Sequence, residues 1–195
     1  MKTNKYNYVK YTFVFLLMII TFLSCGEDYT IKPTGQLRLE YPEAKYQNLE
    51  GNCPFVFQYS NYAKKQDKVD EPCWFTLHYP DMKANIYITY FPVNGKEDLA
   101  IKIKDSEKFV QGQTTKASYI SPREFIFDDA KVYGTLFELG GDSAINLQFH
   151  ATDSTQNLIS GSVYFSTLPK YDSLQPAINY IKKDVEHLIE TLQWK

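Results

Sequence analysis

The chain reads as an α+β domain: a mainly antiparallel β-sheet of about six to seven strands packed by one or two helices, the last of them an amphipathic C-terminal helix. Three features point there. Aromatic residues are abundant, 16 Tyr and 13 Phe among 195 residues, and many alternate with polar residues as half-buried strands require. The strand candidates follow one another in hairpin order with a helical stretch among them. The closing segment carries a continuous apolar stripe at helical spacing.

The first segment stands apart from this domain. A basic leader with Lys2, Lys5 and Lys10 precedes the apolar run "FVFLLMIITFL", residues 13–23, and then Ser24 and Cys25. That is the order of a secretory signal, and the run is shorter than the ~20 apolar residues a membrane-crossing helix needs. A small residue directly before a cysteine resembles the lipobox of bacterial lipoproteins, with Phe22 where Leu is usual. The resemblance implies that the Cys25 thiolate takes a diacylglyceryl group and that residues 1–24 are removed, since sulfur is the nucleophile the alkylation needs. Several acyl chains make attachment effectively permanent. Residues 25–37, polar and broken by Pro33 and Gly35, then form a lipidated terminus and tether that lifts the domain off the headgroups. The single globular domain is expected over 38–195.

Loss of residues 1–24 removes three lysines and no acid, so the formal charge of −2 becomes −5. A mildly acidic body has no electrostatic grip on phosphate backbones, which argues against nucleic acid as a partner. With Cys25 assigned to lipid, Cys53 and Cys73 remain, an even pair in an oxidising envelope and therefore expected to be bonded. Closing such a loop contributes roughly 3 kcal/mol in the chain-entropy view. A metal or thiol site of Cys53, Cys73 and His78 is the rival, but it lacks the close ligand pairs of zinc patterns.

Along the body, "RLEYPEAKY" (38–46) has Pro42 at its centre, which opposes a helix. "PFVFQYS" (54–60) and "CWFTLHYP" (73–80) read as strands separated by the charged stretch "NYAKKQDKVDEP". "ANIYITYFPV" (84–93) is a third, with Ile86, Ile88 and Tyr90 on one face and Tyr87, Thr89 and Phe91 on the other. "KEDLAIKIKDSEKFV" (96–110) is a helix with Leu99, Ile103 and Val110 near one face, and Glu97 and Asp98 at its positive end. Four more strands follow in "ASYISPREFIF", "KVYGTLFEL", "SAINLQFHA" and "LISGSVYFS". "GGD" at 140–142 suits a tight hairpin, and "TDSTQN" at 152–157 another turn. The last segment, "YDSLQPAINYIKKDVEHLIETLQW", places Leu174, Ile178, Ile181, Val185, Leu188 and Leu192 on one stripe. Asp172 or Ser173 serves as its cap and Pro176 falls in the first turn.

Chemistry is sparse. There is no phosphate-binding glycine pattern, no metalloprotease His pair and no G-x-S-x-G elbow. Cys73 and His78 lie on one candidate strand but, five residues apart, point to opposite faces. His150 and His187 are isolated and read as surface or core residues. Asp128 with Asp129, and Asp142 after two glycines, read as turn residues. Trp74 and the exposed tyrosines could stack on a sugar or a peptide. No catalytic set, metal ligands or cofactor site is assigned.

Taken together, "GQLRLEYPEAKYQ", "CPFVFQYS", "CWFTLHYP", "YGTLFELGGDSA", "QFHATDST", "GSVYF" and "PKYDSLQPAINYIKKDVEHLIETLQWK" resemble the gliding-motility lipoprotein GldD family of the Bacteroidetes group, over most of residues 35–195. The resemblance implies a lipid-anchored envelope protein, not an enzyme, that supports gliding and the associated type 9 secretion machinery through protein partners. By position it carries over Cys25 as the lipidated residue and Cys53 with Cys73 as a pair. The expected site is the outer membrane, facing the periplasm. An envelope hydrolase or carbohydrate-binding protein working through Asp128, Asp142, His78 or the aromatic surface is the alternative.

Overall fold

The computed structural model describes residues 9–11, 13, 41–166 and 171–195. Residues 1–35 and 36–195 are two compact units, and the described residues of the first are helical. Cys25, the tether expected at residues 25–37 and residues 38–40 of the expected domain lie outside the described residues.

The second unit is α+β. Its centre is a seven-stranded, wholly antiparallel sheet in the order β4-β5-β6-β10-β9-β8-β7. The strands are β4 (Lys64–Asp67), β5 (Phe75–Tyr79), β6 (Ala84–Pro92), β7 (Ala117–Phe127), β8 (Val132–Gly141), β9 (Ile145–Thr152) and β10 (Asn157–Phe165). Helix α1 (Gly95–Gln111) carries the chain from the middle of the sheet to its far edge. Four strands then return in hairpins until β10 closes against β6.

Strand alternation divides the side chains between two faces. On one face Phe75, Leu77, Ile86, Ile88, Leu147, Phe149, Ile159 and Val163 are buried in a single cluster, and α2 (Tyr171–Glu190) supplies Ile181, Val185, Leu188 and Ile189 to cover them. Full burial contributes about 1.5–3 kcal/mol for each such side chain. Gly161 is required here because a Cβ would stand 2.1 Å from the Phe149 ring. The face is closed at its flank by short pairs, β1 (Tyr46–Asn48) with β3 (Gln58–Ser60) and β2 (Phe55–Val56) with β11 (Gln193–Trp194). Every residue of β9 is buried, because α1 packs on the opposite side of that strand.

Several details correct the sequence reading. Residues 54–60 are two short strands broken at Phe57, which is buried, and they pair outside the main sheet. The charged stretch 61–72, read as a separator, contains β4; its Lys65 bridges to Asp67 and lies over the Phe75 ring, so an edge strand stays solvated while resting on the core. The segment expected to be helical through Trp194 ends its helix at Glu190 and then turns into β11. Pro176 sits in the second turn of α2 rather than the first, so one intrahelical hydrogen bond to Asp172 is forgone.

Other elements follow the expected chemistry. Gly141 takes φ +79 at the end of β8, where a Cβ would meet the Ser118 nitrogen at 2.6 Å. The turn at 152–157 is built on Asp153, whose carboxylate accepts backbone N–H bonds from Thr155, Gln156 and Asn157 at 2.8–2.9 Å. Partial burial opposes its ionisation, but these bonds prevail and hold its pKa down at about 2. Cys53 and Cys73 are joined in a disulfide, Cα–Cα 5.5 Å, tying the approach to β2 to the start of β5.

Candidate functional site

The second face of the sheet is covered only in part. Register places Asn85, Tyr87, Thr89 and Phe91 of β6 beside Ser160, Ser162 and Tyr164 of β10 on this side, and β5 adds Thr76 and His78. Helix α1 lies over β9 and β10, leaving a groove between itself and the open half of the sheet. The cavity measures ≈ 920 Å³, at the upper end of the ~300–1,000 Å³ usual for small-molecule sites.

Its wall on the helix is a single stripe, Asp98, Ile101, Lys102, Asp105 and Phe109, at the three- and four-residue spacing of one helical face. Ile101 is 60 % exposed and Phe109 54 %, so the helix offers apolar side chains to the groove rather than burying them. The opposite wall is aromatic. Trp74 is fixed by its indole N–H donating to the Tyr90 carbonyl at 2.8 Å and meets Phe91 edge-on at 5.7 Å. Tyr87, 45 % exposed, stands edge-on to Tyr164 at 5.5 Å.

Between the walls lies a floor of hydroxyls held from beneath. Gln148 of β9 donates its Nε2 to Ser106 Oγ at 3.2 Å and to Ser160 Oγ at 3.1 Å, while its Oε1 accepts from Ser162. Ser106 and Ser160 are themselves 2.9 Å apart. A buried amide thus joins helix and sheet, and each hydroxyl keeps unused donor or acceptor capacity. A second hollow of ≈ 460 Å³, lined by Gln66, Lys68, Thr76 and others, shares Trp74, Tyr87 and Thr89 with the first. The two form adjoining parts of one trough over β4, β5, β6 and β10.

The carboxylates of the trough are paired within the protein. Asp98 bridges to Lys102, Asp105 to Lys108 and Asp67 to Lys65, and Lys68 lies over the Trp74 ring at 4.5 Å. Asp98 also accepts the Asn94 N–H at 2.8 Å, and its carboxyl sits below the usual range, with the Lys102 bond the largest cause and the Asn94 bond next.

Of the aromatic residues read from sequence as able to stack on a sugar or a peptide, Trp74 and the exposed Tyr87 line this trough. His78 borders it through Asn85, at 2.8 Å. Its former partner Cys73 is committed to the disulfide. Asp128 and Asp129 occupy the β7–β8 turn and Asp142 follows the other end of the ten-residue β8, a separation of about 30 Å that keeps them from acting together. His150 is buried beside Phe137 with its Nδ1 lacking a hydrogen-bond partner, and burial lowers its pKa to about 4. His187 stacks on Tyr46 at 3.6 Å and bonds Gln58 at 2.9 Å. Among the described residues, no three His, Cys, Asp or Glu side chains gather where a metal ion could be held.

Sequence reading missed the helix wall and the Gln148 floor. The exposed Ile101 and Phe109, apolar on what should be the solvated side of the helix, were the available signal. It also missed Asp184, a carboxylate buried in α2 that accepts from Tyr46 and Tyr79, both at 3.0 Å. Burial raises the Asp184 pKa against the lowering effect of those bonds, and this group braces the covered face, away from the trough.

A family model described as gliding motility lipoprotein GldD matches residues 26–194. No curated protein matches the chain.

Proposed function

Because the chain belongs to the gliding motility lipoprotein GldD family, we propose that it serves gliding as a non-catalytic interaction module, tethered by lipid and docking onto the motility and type 9 secretion machinery. Membership carries the role in gliding and a lipoprotein's place at the membrane. Among the described residues no helix is long and apolar enough to cross a bilayer. In this reading residues 1–24 are a cleaved signal, Cys25 carries the acyl chains, residues 25–37 are the tether, and the domain works at the outer membrane on its periplasmic side.

The observation that carries the module reading is the trough. It is a preformed, aromatic-walled surface whose carboxylates, Asp98 and Asp105, are each bridged to a lysine, whereas general acid–base chemistry needs a titratable group within hydrogen-bond reach of a reacting atom. Asp128, Asp142 and His78, the residues an envelope hydrolase would use, do not converge on it. A photo-crosslinking residue at Ile101 in living cells tests the proposal. Crosslinks to motility or secretion components are expected. Recovery of the protein alone, from a strain in which it is normally abundant and lipidated, would contradict it.

A further inference from the structure

From the trough's lining we infer that it binds a neutral oligosaccharide, an assignment that deepens the interaction reading and rests on it. Three features select this ligand class. First, the carboxylates that line the trough are each bridged to a lysine, leaving Lys68 over the Trp74 ring as the one cation there, among the described residues, with no ion pair, so a charged ligand would compete with existing pairs and pay its own desolvation. Second, the walls are lined by the rings of Trp74, Tyr87 and Tyr164, with Ile101 and Phe109 across from them. Such surfaces cover the apolar faces of a pyranose, while Asn85, Thr89, Ser162 and Ser166 present the oxygens and amide that its hydroxyls require.

The third feature separates a glycan from an extended peptide. A peptide in a sheet-lined groove gains affinity chiefly by adding a strand to a free edge. The adjoining hollow reaches the edge strand β4, but the strands beneath the larger hollow are interior, β6 paired with β5 and β10 and β10 with β6 and β9. Their backbone groups are spent on the ladder, so the floor recognises through its side chains. The adjoining second hollow extends the lining past Trp74, which suits a linear ligand of several linked rings.

The chain has two tryptophans, Trp74 in the trough and Trp194, whose indole N–H donates to the Lys131 carbonyl at 2.9 Å on the far strand pair. In full-length protein carrying Trp194→Phe, Trp74 is the sole indole reporter. Titration with cellohexaose, chitohexaose and maltohexaose is expected to shift its emission saturably for at least one of them. Tyr87→Ala should weaken that binding about tenfold, the loss of one aromatic contact, and Tyr119→Phe, on β7, should leave it unchanged. Should Trp194→Phe fail to fold, calorimetric titration of the unaltered protein gives the same readout. No response to any of the three sugars, or unchanged binding in Tyr87→Ala, overturns the assignment. Crosslinks from Ile101 to motility proteins without sugar binding would remove the glycan and leave the docking module. Sugar binding without such crosslinks would do the reverse.

Discussion

The two faces of one sheet are covered to different extents. On one, α2 and the short strand pairs seal Phe75, Leu77, Ile86, Ile88, Leu147 and Phe149 from water. On the other, α1 covers β9 and β10 but leaves Tyr87, Ile101 and Phe109 exposed around a hydroxyl floor. The same strands supply both, since alternate residues of β6 and β10 point to opposite sides. Apolar side chains on the first face stabilise the fold; those on the second stand in water, a cost that a binding surface explains.

The sharpest way to break the comparison is to truncate one Phe from each side. Phe149→Ala on the sealed face should lower unfolding stability by about 3–5 kcal/mol, because a cavity is left where the surroundings cannot collapse. Phe109→Ala on the trough should change it by no more than about 0.5 kcal/mol, as for exposed positions generally. Urea titrations of both variants check this, and similar losses would erase the distinction between the faces.

Much of the architecture was legible from periodicity. The alternation of β6, the span of β7 and the stripe Ile178, Ile181, Val185 and Leu188 are local patterns that survive folding because each faces one partner. β4 was illegible because its four residues, KKQD, carry no apolar alternation and owe their strand to pairing with β5. Residues 54–60 looked continuous because Phe55 and Phe57 are both core residues, while the pairing partners that divide them come from opposite ends of the chain. The trough could not be read for a related reason. Gln148 and Ser106 lie 42 residues apart, and neither is unusual until α1 is laid across β9.

A second test acts through pH at the buried layer beneath α1. Burial holds His150 at about 4, below its ordinary 6.5, so the fold favours the neutral ring. Its contribution is fully present above pH 6.5 and is lost as pH falls toward 4, by about 3 kcal/mol. His150→Gln should remove that part of the acid sensitivity, read as a flatter dependence of the urea midpoint between pH 7 and 4. An unchanged slope would place the acid-labile group elsewhere.

The smallest effect belongs to the covered face, with its own pH dependence. The Asp184 pKa is raised, so its favourable contribution is present below the ordinary carboxylate value and fades as pH rises through the raised one. Asp184→Asn should therefore be less harmful at pH 8 than at pH 4. A penalty that grows with pH would show that the carboxylate, rather than the acid, is the form the Tyr46 and Tyr79 hydroxyls stabilise.

The division of labour between the faces is tested most directly by gliding itself, measured in cells whose sole copy carries Tyr87→Ala and Phe109→Ala together. Abundance, lipidation and unfolding midpoint should match the unaltered protein while gliding is lost. Normal gliding by that variant, stable and correctly placed, would contradict the assignment of the open face to function.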